Sequence, residues 1–286
     1  MRLLVTGGVG RLGSELVKLI TSKGDSAVAF DLPQASWEIV RYISGVEVFH
    51  GDVTNASHVA EACAGVDAVF HLAALLPPCS ESNRDLTMKV NVEGTRKIVE
   101  TLGQQQNIPL VFASSISTYG ITAEEEAPIR EDRPLTPHNN YSESKIKAEH
   151  LIKESGVPHT MLRIAPISVA DIVELPETIP YRGDQRVEFV HVIDAARALL
   201  SAFENQRARG ETYSIAGGTS WQMRGREYIT DFYGALGVEI EPRFSEEYTS
   251  LDWYDTSRSR FLGYQKITFN EFLTMLRSVG EQLGLR

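Results

Sequence analysis

The stretch "NNYSESKIKAEH" at residues 139–150 holds a tyrosine and a lysine four positions apart. Its pattern predicts a helix over 141–155, and the i, i+4 spacing places Tyr141 and Lys145 on one face of that helix. A tyrosine with an ordinary pKa of roughly 10 is a poor base at neutral pH. Because a lysine ammonium one turn away favours the phenolate and lowers that pKa, the pair predicts a general acid–base for proton transfer.

Such a pair also needs a hydroxyl group that orients the reacting oxygen. Ser114 and Ser115 stand at the end of the apolar run 110–114, which predicts a buried strand. Ligands of open parallel sheets bind at the carboxyl ends of the strands. We therefore expect one or both serines to lie beside Tyr141.

A glycine-rich stretch joins the predicted strand 2–5 to the predicted helix 12–22. It satisfies two related spacings: GxGxxG with Gly8, Gly10 and Gly13, and GxxGxxG with Gly7, Gly10 and Gly13. A loop without side chains lets a pyrophosphate approach the backbone N–H groups at a helix N-terminus. The stretch therefore predicts a dinucleotide site. The positive ring of an oxidised nicotinamide bound there would favour the Tyr141 phenolate as a second cation beside Lys145.

The type of dinucleotide depends on two residues. Asp31 ends the second predicted strand, where a dinucleotide fold places an acid that accepts hydrogen bonds from the adenosine ribose. A carboxylate there repels a 2′-phosphate and favours NAD over NADP. Arg11 in the glycine loop argues in the other direction, since a basic residue there can serve a 2′-phosphate.

Short apolar runs alternate with helical patterns through the first 165 residues. Strands are predicted at 2–5, 26–30, 46–49, 68–73, 110–114 and 160–165, and helices near 12–22, 55–63, 84–104 and 141–155. This alternation predicts an α/β fold, a Rossmann-type doubly wound parallel sheet with helices on both faces.

The rhythm changes after residue 165, where a proline-rich segment begins. We expect residues 1–165, rejoined by 189–217, to form an NAD-binding Rossmann domain, and 166–188 with 218–286 to form a small C-terminal substrate-binding lobe. Helices are expected near 194–205, 223–236 and 269–283, and a strand at 212–217. At the start of the first of these helices, Asp194 is the expected N-cap.

The net charge, the apolar stretches and the cysteines of the sequence argue against several classes of partner and site. A net charge of −10 argues against a general electrostatic grip on nucleic acid or on an anionic membrane. No apolar stretch approaches the ~18 residues that span a bilayer, and the N-terminal apolar run is too short for a signal peptide, so a cytoplasmic location is expected. Cys63 and Cys79 lie in no CxxC or Cys/His cluster, so neither a disulfide nor a metal site is predicted.

Taken together, these features make the sequence resemble the extended short-chain dehydrogenase/reductases, within the NAD-dependent epimerase/dehydratase group. The motifs that carry the resemblance are "TGGVGRLG" (6–13), Asp31, "GDVT" (51–54), "HLAA" (71–74), "NVEGT" (91–95), "SSISTYG" (114–120), "YSESK" (141–145), "LRIAP" (162–166) and "FVHVIDAARA" (189–198). They follow the order of that family over residues 1–200.

The resemblance implies a role for each matching residue. Tyr141 would be the catalytic acid/base, Lys145 would lower its pKa and hold the nicotinamide ribose, and Ser115 would hydrogen-bond the reacting oxygen. Asn91 would brace the site through its helix. The implied NAD contacts are Gly7, Gly10, Arg11, Leu12, Gly13, Asp31, Asp52, Val53, Leu72, Ala73, Ala74, Asn91, Ser114, Tyr141, Lys145 and Ile164. The implied substrate contacts are Ser115, Tyr141, Pro166, Arg182 and Arg186.

The sequence departs from the sugar-nucleotide epimerases of that family at two positions. They carry an asparagine after "LR", where Pro166 stands here, and an arginine two residues before the phenylalanine of "FVHV", where Val187 stands here. The segment between Pro166 and Phe189 is also short. Arg182 and Arg186 are expected either to clamp an anionic substrate or to be solvated loop residues.

Three functions fit this pattern. The leading hypothesis is an NAD-dependent nucleotide-sugar epimerase, most like UDP-glucose/galactose 4-epimerase. The alternative is a net NAD-dependent dehydrogenase of a sugar, sugar acid or small hydroxy compound, which the short lobe favours. A non-catalytic cofactor sensor is the third, and the complete Ser/Tyr/Lys set argues against it.

The resemblance also implies a homodimer, formed by the helices near 84–104 and 141–155. Core packing explains the apolar residues of these helices equally well. They are Val90, Ile98, Val99, Leu102, Leu151 and Ile152.

Overall fold

A parallel sheet forms the centre of the computed structural model, which describes residues 1–105, 107–171 and 175–285. The strands are β1 (Arg2–Thr6), β2 (Ser26–Asp31), β3 (Val46–His50), β4 (Ala68–His71), β5 (Leu110–Ser115), β6 (His159–Ile164), β7 (Ile167–Ser168), β8 (Arg186–Val187), β9 (Val190–His191), β10 (Thr212–Ile215) and β11 (Met223–Arg224). Seven of them form the sheet in the order β10–β6–β5–β4–β1–β2–β3, and every pairing is parallel. The order reverses beside β1, which confirms the predicted doubly wound sheet.

Helices follow most strands, close to the predicted positions. They are α1 (Arg11–Ser22), α2 (Ala56–Ala62), α3 (Cys79–Ser82), α4 (Arg84–Thr87), α5 (Gly94–Gly103), α6 (Asn140–Glu154), α7 (Val192–Glu204), α8 (Gly225–Leu236) and α9 (Phe269–Gln282). The single helix expected over 84–104 is interrupted, because a π-helical turn at Met88–Glu93 separates α4 from α5. Such turns are rare and occur often at functional sites.

Two apolar clusters cover the two faces of the sheet. Leu16 of α1 and Leu199 of α7 belong to one cluster, while Val59 of α2 and Ala148 of α6 belong to the other. Burial of the apolar strand residues between these layers is the main stabilising contribution expected for such a fold. Most residues proposed for a dimer face are buried in the second cluster, namely Ile98, Val99, Leu102 and Ile152, so they offer no support for that face.

A third apolar cluster lies outside the sheet. It contains α8, α9 and the aromatic pair Trp221 and Phe272, whose ring centroids are 5.1 Å apart. Two short ladders accompany it, with β8 antiparallel to β11 and β7 parallel to β9. The predicted lobe therefore has an apolar core of its own, while its exact boundaries stay a prediction.

The start of α7 differs from the expectation. His191, not Asp194, is the N-cap residue, and its Nδ1 accepts the Ile193 N–H at 3.3 Å. The Asp194 carboxylate instead accepts the Lys266 and Ile267 N–H groups, both at 2.9 Å. The N-cap prediction was wrong because this acid serves a segment 72 residues further along the chain.

Candidate active site

A cleft of about 1030 Å³ runs along the carboxyl ends of the sheet strands. Most residues named from the sequence line it: Gly7, Gly10, Arg11, Leu12, Gly13, Asp31, Asp52, Val53, Leu72, Ala73, Ala74, Ser114, Ser115, Tyr141, Lys145, Ile164 and Pro166. Three of them do not, namely Asn91, Arg182 and Arg186. The structure thus brings together the glycine loop and the Tyr/Lys helix, which are more than 120 residues apart in the sequence.

The glycine loop is shaped for a ligand that approaches the backbone. Gly7 has a φ of +71°, and a Cβ at Gly13 would lie 2.0 Å from the Gly7 carbonyl oxygen, so neither position accepts a side chain. Helix α1 begins beyond Gly10 without a side-chain cap. Its first N–H groups therefore face the cleft as donors for an anion, as a dinucleotide pyrophosphate requires.

The acid at the end of β2 is held in place at the same end of the cleft. Asp31 Oδ2 accepts the Val9 N–H at 3.2 Å, and its Oδ1 accepts the Leu32 N–H at 2.9 Å. Asp52 and Val53, after β3, line the cleft beside it. The residues that would hold the adenosine half of NAD are therefore adjacent, and the glycine cradle and the fixed carboxylate fit that cofactor.

Asn91 braces the site from behind the lining residues. It lies in the π-helical turn, where its Oδ1 accepts the Leu75 N–H at 2.7 Å and its Nδ2 donates to Leu75 O at 3.0 Å. The same amide donates to Ser144 Oγ at 2.9 Å. These bonds tie the loop after β4 to α6, which agrees with a bracing position more than with a direct cofactor contact.

The Ser/Tyr/Lys set meets in the middle of the cleft. Helix α6 begins with a capping box between Asn139 and Ser142, which fixes the first turn that carries Tyr141. The buried Lys145 Nζ donates to Ala113 O at 2.8 Å and lies 5.8 Å from the centroid of the Tyr141 ring. Ser115 hydrogen-bonds the Tyr141 side chain.

Protonation differs from the expectation based on the sequence. Burial raises the pKa of Tyr141 to about 12, although the hydrogen bond with Ser115 acts in the opposite direction. Burial also lowers the pKa of Lys145 to about 8, opposed by the negative charge of Glu149. In the protein alone, loss of phenolate hydration dominates. The lowering expected from Lys145 and an oxidised nicotinamide ring acting together stays a prediction.

Ser114, expected to contact the cofactor, uses its hydroxyl group elsewhere. Its Oγ donates to Glu149 Oε1 at 2.6 Å, and Glu149 forms a buried salt bridge with Arg163 at 2.7 Å. Glu149 follows Lys145 by one helical turn, so the i, i+4 spacing that revealed Tyr141 and Lys145 was also the available signal for this residue.

Ser117 is a second polar residue that the sequence reasoning missed. It lines the cleft two positions after Ser115, and its buried Oγ has no hydrogen-bond partner among the described residues. An unsatisfied buried hydroxyl costs free energy unless a ligand or water completes it. Its position next to Ser115 makes it available to a hydroxyl or carbonyl group of the substrate.

The two arginines expected to hold an anionic substrate are engaged within the protein. Arg186 Nε donates to the buried Asp252 at 2.5 Å, and Arg182 Nε donates to Asp184 at 2.9 Å. A guanidinium that is already paired with a carboxylate has little charge to offer a diphosphate. The expectation of an arginine clamp is therefore not supported by this arrangement.

The described part of the chain shows neither a metal cluster nor a membrane span. Within residues 1–105, 107–171 and 175–285, no group of three or more His, Cys, Asp or Glu side chains is placed to hold a metal ion. In the same ranges, none of the helices combines the length and apolar character that crossing a membrane requires.

This chain is similar to known proteins in family, in sequence and in structure. Residues 3–165 match the model of the NAD dependent epimerase/dehydratase family. A UDP-glucose 4-epimerase of Halalkalibacterium halodurans is 25% identical over 306 residues, which cover 93% of this chain and 90% of that protein. A UDP-glucose 4-epimerase of Thermus thermophilus, crystallised with NAD, superposes with a TM-score of 0.84 at 24% identity, covering 98% of this chain and 99% of that one.

Other matches cover less of the relative. A 3-beta-hydroxysteroid dehydrogenase of Mycolicibacterium neoaurum is 31% identical over 158 residues, which cover 53% of this chain. The chain spans only 42% of the length of that relative.

Proposed function

This chain belongs to the NAD-dependent epimerase/dehydratase family, and on that premise we propose that it is an NAD-dependent dehydrogenase of a small, uncharged hydroxy compound. One observation carries this choice over a nucleotide-sugar epimerase. Among the described residues that line the cleft, the basic side chains are Arg11 in the glycine loop and Lys145 beside Tyr141. Beyond Tyr141 the described lining offers no cation for a nucleotide diphosphate.

The substrate end of the cleft supports the same choice. Its lining is largely apolar, with Leu75, Leu86 and Ile167 among the contributors, and Ser115, Ser117 and Ser250 are among the residues that contribute hydroxyl groups. This surface suits a compound that presents one or two hydroxyl groups and little charge.

The proposed reaction interconverts a secondary alcohol and a ketone. Bound NAD⁺ supplies the hydride acceptor, and the residues named for it are the glycine loop, Asp31 and Lys145. Tyr141 takes the hydroxyl proton during oxidation and returns a proton to the carbonyl oxygen during reduction. Ser115 holds the reacting oxygen, and its bond to Tyr141 places donor and acceptor together.

The raised pKa of Tyr141 has a consequence for direction. With a pKa of about 12, Tyr141 is protonated at neutral pH and is ready to act as the general acid for ketone reduction. Oxidation needs the phenolate, so it should accelerate as the pH rises.

A nucleotide-sugar 4-epimerase is the second candidate. It is favoured by the match of nearly the whole chain to a UDP-glucose 4-epimerase structure, although 24% identity supports the fold alone. An epimerase would interconvert UDP-glucose and UDP-galactose without net production of NADH.

One experiment separates the two candidates. The purified protein is incubated with NAD⁺ and, separately, UDP-galactose, free sugars and small secondary alcohols, and both NADH and products are measured. NADH formed from an uncharged alcohol or sugar with inert UDP-sugars supports the dehydrogenase. Conversion of UDP-galactose to UDP-glucose without NADH would overturn it.

Tyr141→Phe tests the role of the phenol in whichever reaction is found. Loss of a positioned acid–base group lowers the rate by on the order of 10²–10⁴-fold. Tyr42→Phe is the matched control, since Tyr42 is 79% exposed. Equal activity of the two variants would remove Tyr141 from the proton-transfer role.

The homodimer and the cytoplasmic location stay predictions. Light scattering during gel filtration tests the first, because a single chain has a mass of 31.7 kDa. A single-chain mass at micromolar concentration would contradict the dimer.

A further inference from the structure

A second cavity lies next to the cleft, on the side of the lobe. Its volume is about 220 Å³. The residues that line it are mostly apolar or aromatic, and Ile179, Tyr181, Tyr228, Ile229 and Phe232 among them are buried. An apolar protein cavity of roughly 150 Å³ is large enough to bind benzene.

The cavity adjoins the cleft. Ile167 and Val169, which follow the end of β6, line both spaces, and so does Arg11. A substituent of a molecule whose hydroxyl group lies at Tyr141 would therefore reach the cavity by passing Ile167 and Val169.

The inner wall of the cavity suits a flat or branched apolar group. The rings of Phe189 and Tyr228 stack with centroids 4.2 Å apart, and Phe232 continues the aromatic surface at 6.0 Å from Tyr228. The Tyr228 hydroxyl is paired with Ser168 Oγ at 2.7 Å. That phenol is already satisfied, so the stacked rings offer mainly dispersion and apolar contact.

One charged residue contributes to the lining of the cavity. Arg11 is the only charged residue among the described residues that line it, and it begins helix α1 at the expected pyrophosphate site. A charged or strongly hydrated group inside would lose its water without compensation. The interior therefore selects against phosphate and carboxylate groups.

We propose that this cavity binds an apolar substituent of the substrate, an aromatic ring or a short branched alkyl group attached to the carbon chain that carries the reacting hydroxyl group. This inference rests on the proposed dehydrogenase function. It makes the substrate an amphipathic secondary alcohol and not a free polyhydroxylated sugar.

A series of alcohols with the same reacting centre tests the inference. The probes are 2-butanol, 2-heptanol and 4-phenyl-2-butanol, and kcat/KM is measured from NADH formation with saturating NAD⁺. We expect kcat/KM to rise at least about tenfold from 2-butanol to 4-phenyl-2-butanol, because single apolar groups in a matched pocket discriminate by about that factor.

Two substitutions at one wall position locate the effect. Ile229→Trp fills the cavity and should reduce the ratio of kcat/KM for 4-phenyl-2-butanol over 2-butanol to about one. Ile229→Ala enlarges it and should move the preference toward bulkier substituents. Ile240→Trp is the control for added bulk, since Ile240 is 64% exposed in the same lobe and should keep the wild-type ratio.

The possible results distinguish this inference from the dehydrogenase function on which it rests. NADH from 2-butanol with no gain for the phenyl compound would overturn the inference and leave the dehydrogenase standing. A gain that survives in a folded Ile229→Trp variant would also overturn it, because the substituent would then bind elsewhere. NADH formed from a free sugar but from none of these alcohols would overturn the inference alone, whereas no NADH from any alcohol or free sugar would overturn the proposed function as well. If Ile229→Trp does not fold, the direction of the shift in Ile229→Ala decides.

Discussion

Two buried acids hold two different regions of this protein together. Glu149 lies on α6, the helix that carries Tyr141, and Glu188 directly follows β8; both are fully buried. Each accepts three hydrogen bonds. Glu149 accepts two from Arg163, at 2.9 and 2.7 Å, and one from Ser114. Glu188 accepts its three from the Gly218 N–H, the Gln222 amide and the Tyr254 N–H, at 2.8 to 2.9 Å.

The difference is the charge of the donors. Burial alone would lower the pKa of Arg163, but its hydrogen bonds and charge interaction with Glu149 raise it. Glu188 has only neutral donors, and burial raises its pKa to about 7, assisted by the nearby charge of Asp252. The region under the active site is thus tied by a matched ion pair, whereas the junction with the lobe depends on an acid that titrates near neutral pH.

The largest expected effect comes from breaking the matched pair. Glu149→Gln leaves the buried Arg163 without a counter-charge, and the loss of one partner of such a pair costs about 3–5 kcal/mol of unfolding free energy. Denaturant unfolding at pH 7 measures it. The exposed pair of Lys23 and Glu204 provides the control, and Glu204→Gln should cost no more than about 1 kcal/mol. Similar losses in both variants would mean that the buried pair adds nothing special.

The second prediction concerns Glu188, whose contribution to the stability of the protein should depend on pH. Because the folded pKa of Glu188, about 7, lies above its ordinary value of 4.5, the native state holds the proton between these pH values. Its contribution to stability is full below pH 4.5 and is lost as the pH rises through 7, about 3 kcal/mol in all.

Glu188→Gln removes this titration. The amide should change the unfolding free energy by an amount that does not depend on pH. The difference in unfolding free energy between wild type and variant should therefore change by about 3 kcal/mol between pH 4.5 and 8. Urea unfolding at several pH values measures the difference. A difference that does not change with pH would show that Glu188 does not titrate in this range.

The smallest expected effect concerns the cation beside Glu149. With a pKa of about 8, Lys145 loses its charge above that pH and no longer favours the Tyr141 phenolate. In the wild type, kcat/KM for alcohol oxidation should therefore rise with pH and stop rising above about pH 8. Lys145→Arg keeps the charge at all these pH values. Its absolute rate should be lower, but its profile should continue to rise beyond pH 8.

A plateau near pH 8 that persists in Lys145→Arg would assign it to another group. This measurement also sharpens the comparison of the two acids, since Glu149 is the negative charge that opposes the fall in the Lys145 pKa. Glu188 should have no such influence on the rate profile.

Much of the fold could be predicted because it depends on local patterns. The central strands were found from apolar runs, and the helices from their periodicity, since burial on both faces of a parallel sheet imposes continuous apolar sequence. The glycine loop was found because backbone geometry there excludes side chains. Helix 84–104 was predicted without its interruption, because the π-helical turn depends on Asn91 bonding to Leu75 and Ser144.

The side-chain pairings that the sequence did not reveal share a cause. The N-cap assignment of Asp194 was wrong, while the cofactor contact of Ser114 and the substrate contact of Arg186 stay predictions; each of these side chains pairs with a group far along the chain. The partner of Arg186 is 66 residues away, that of Ser114 is 35 and that of Asp194 is 72. No local spacing reports such pairs.

The sequence by itself therefore determined the family, the parallel sheet, the dinucleotide loop and the Tyr141–Lys145 pair, because repeated local constraints of backbone and burial encode them. Only the tertiary structure decided which charged and polar side chains are available to a ligand. It engaged Arg186 with Asp252, left Ser117 without a partner among the described residues, and opened an aromatic cavity beside the cleft. Desolvation and long-range pairing act on the folded chain, and they decide the protonation of Tyr141 and the apolar character of the cavity beside the cleft.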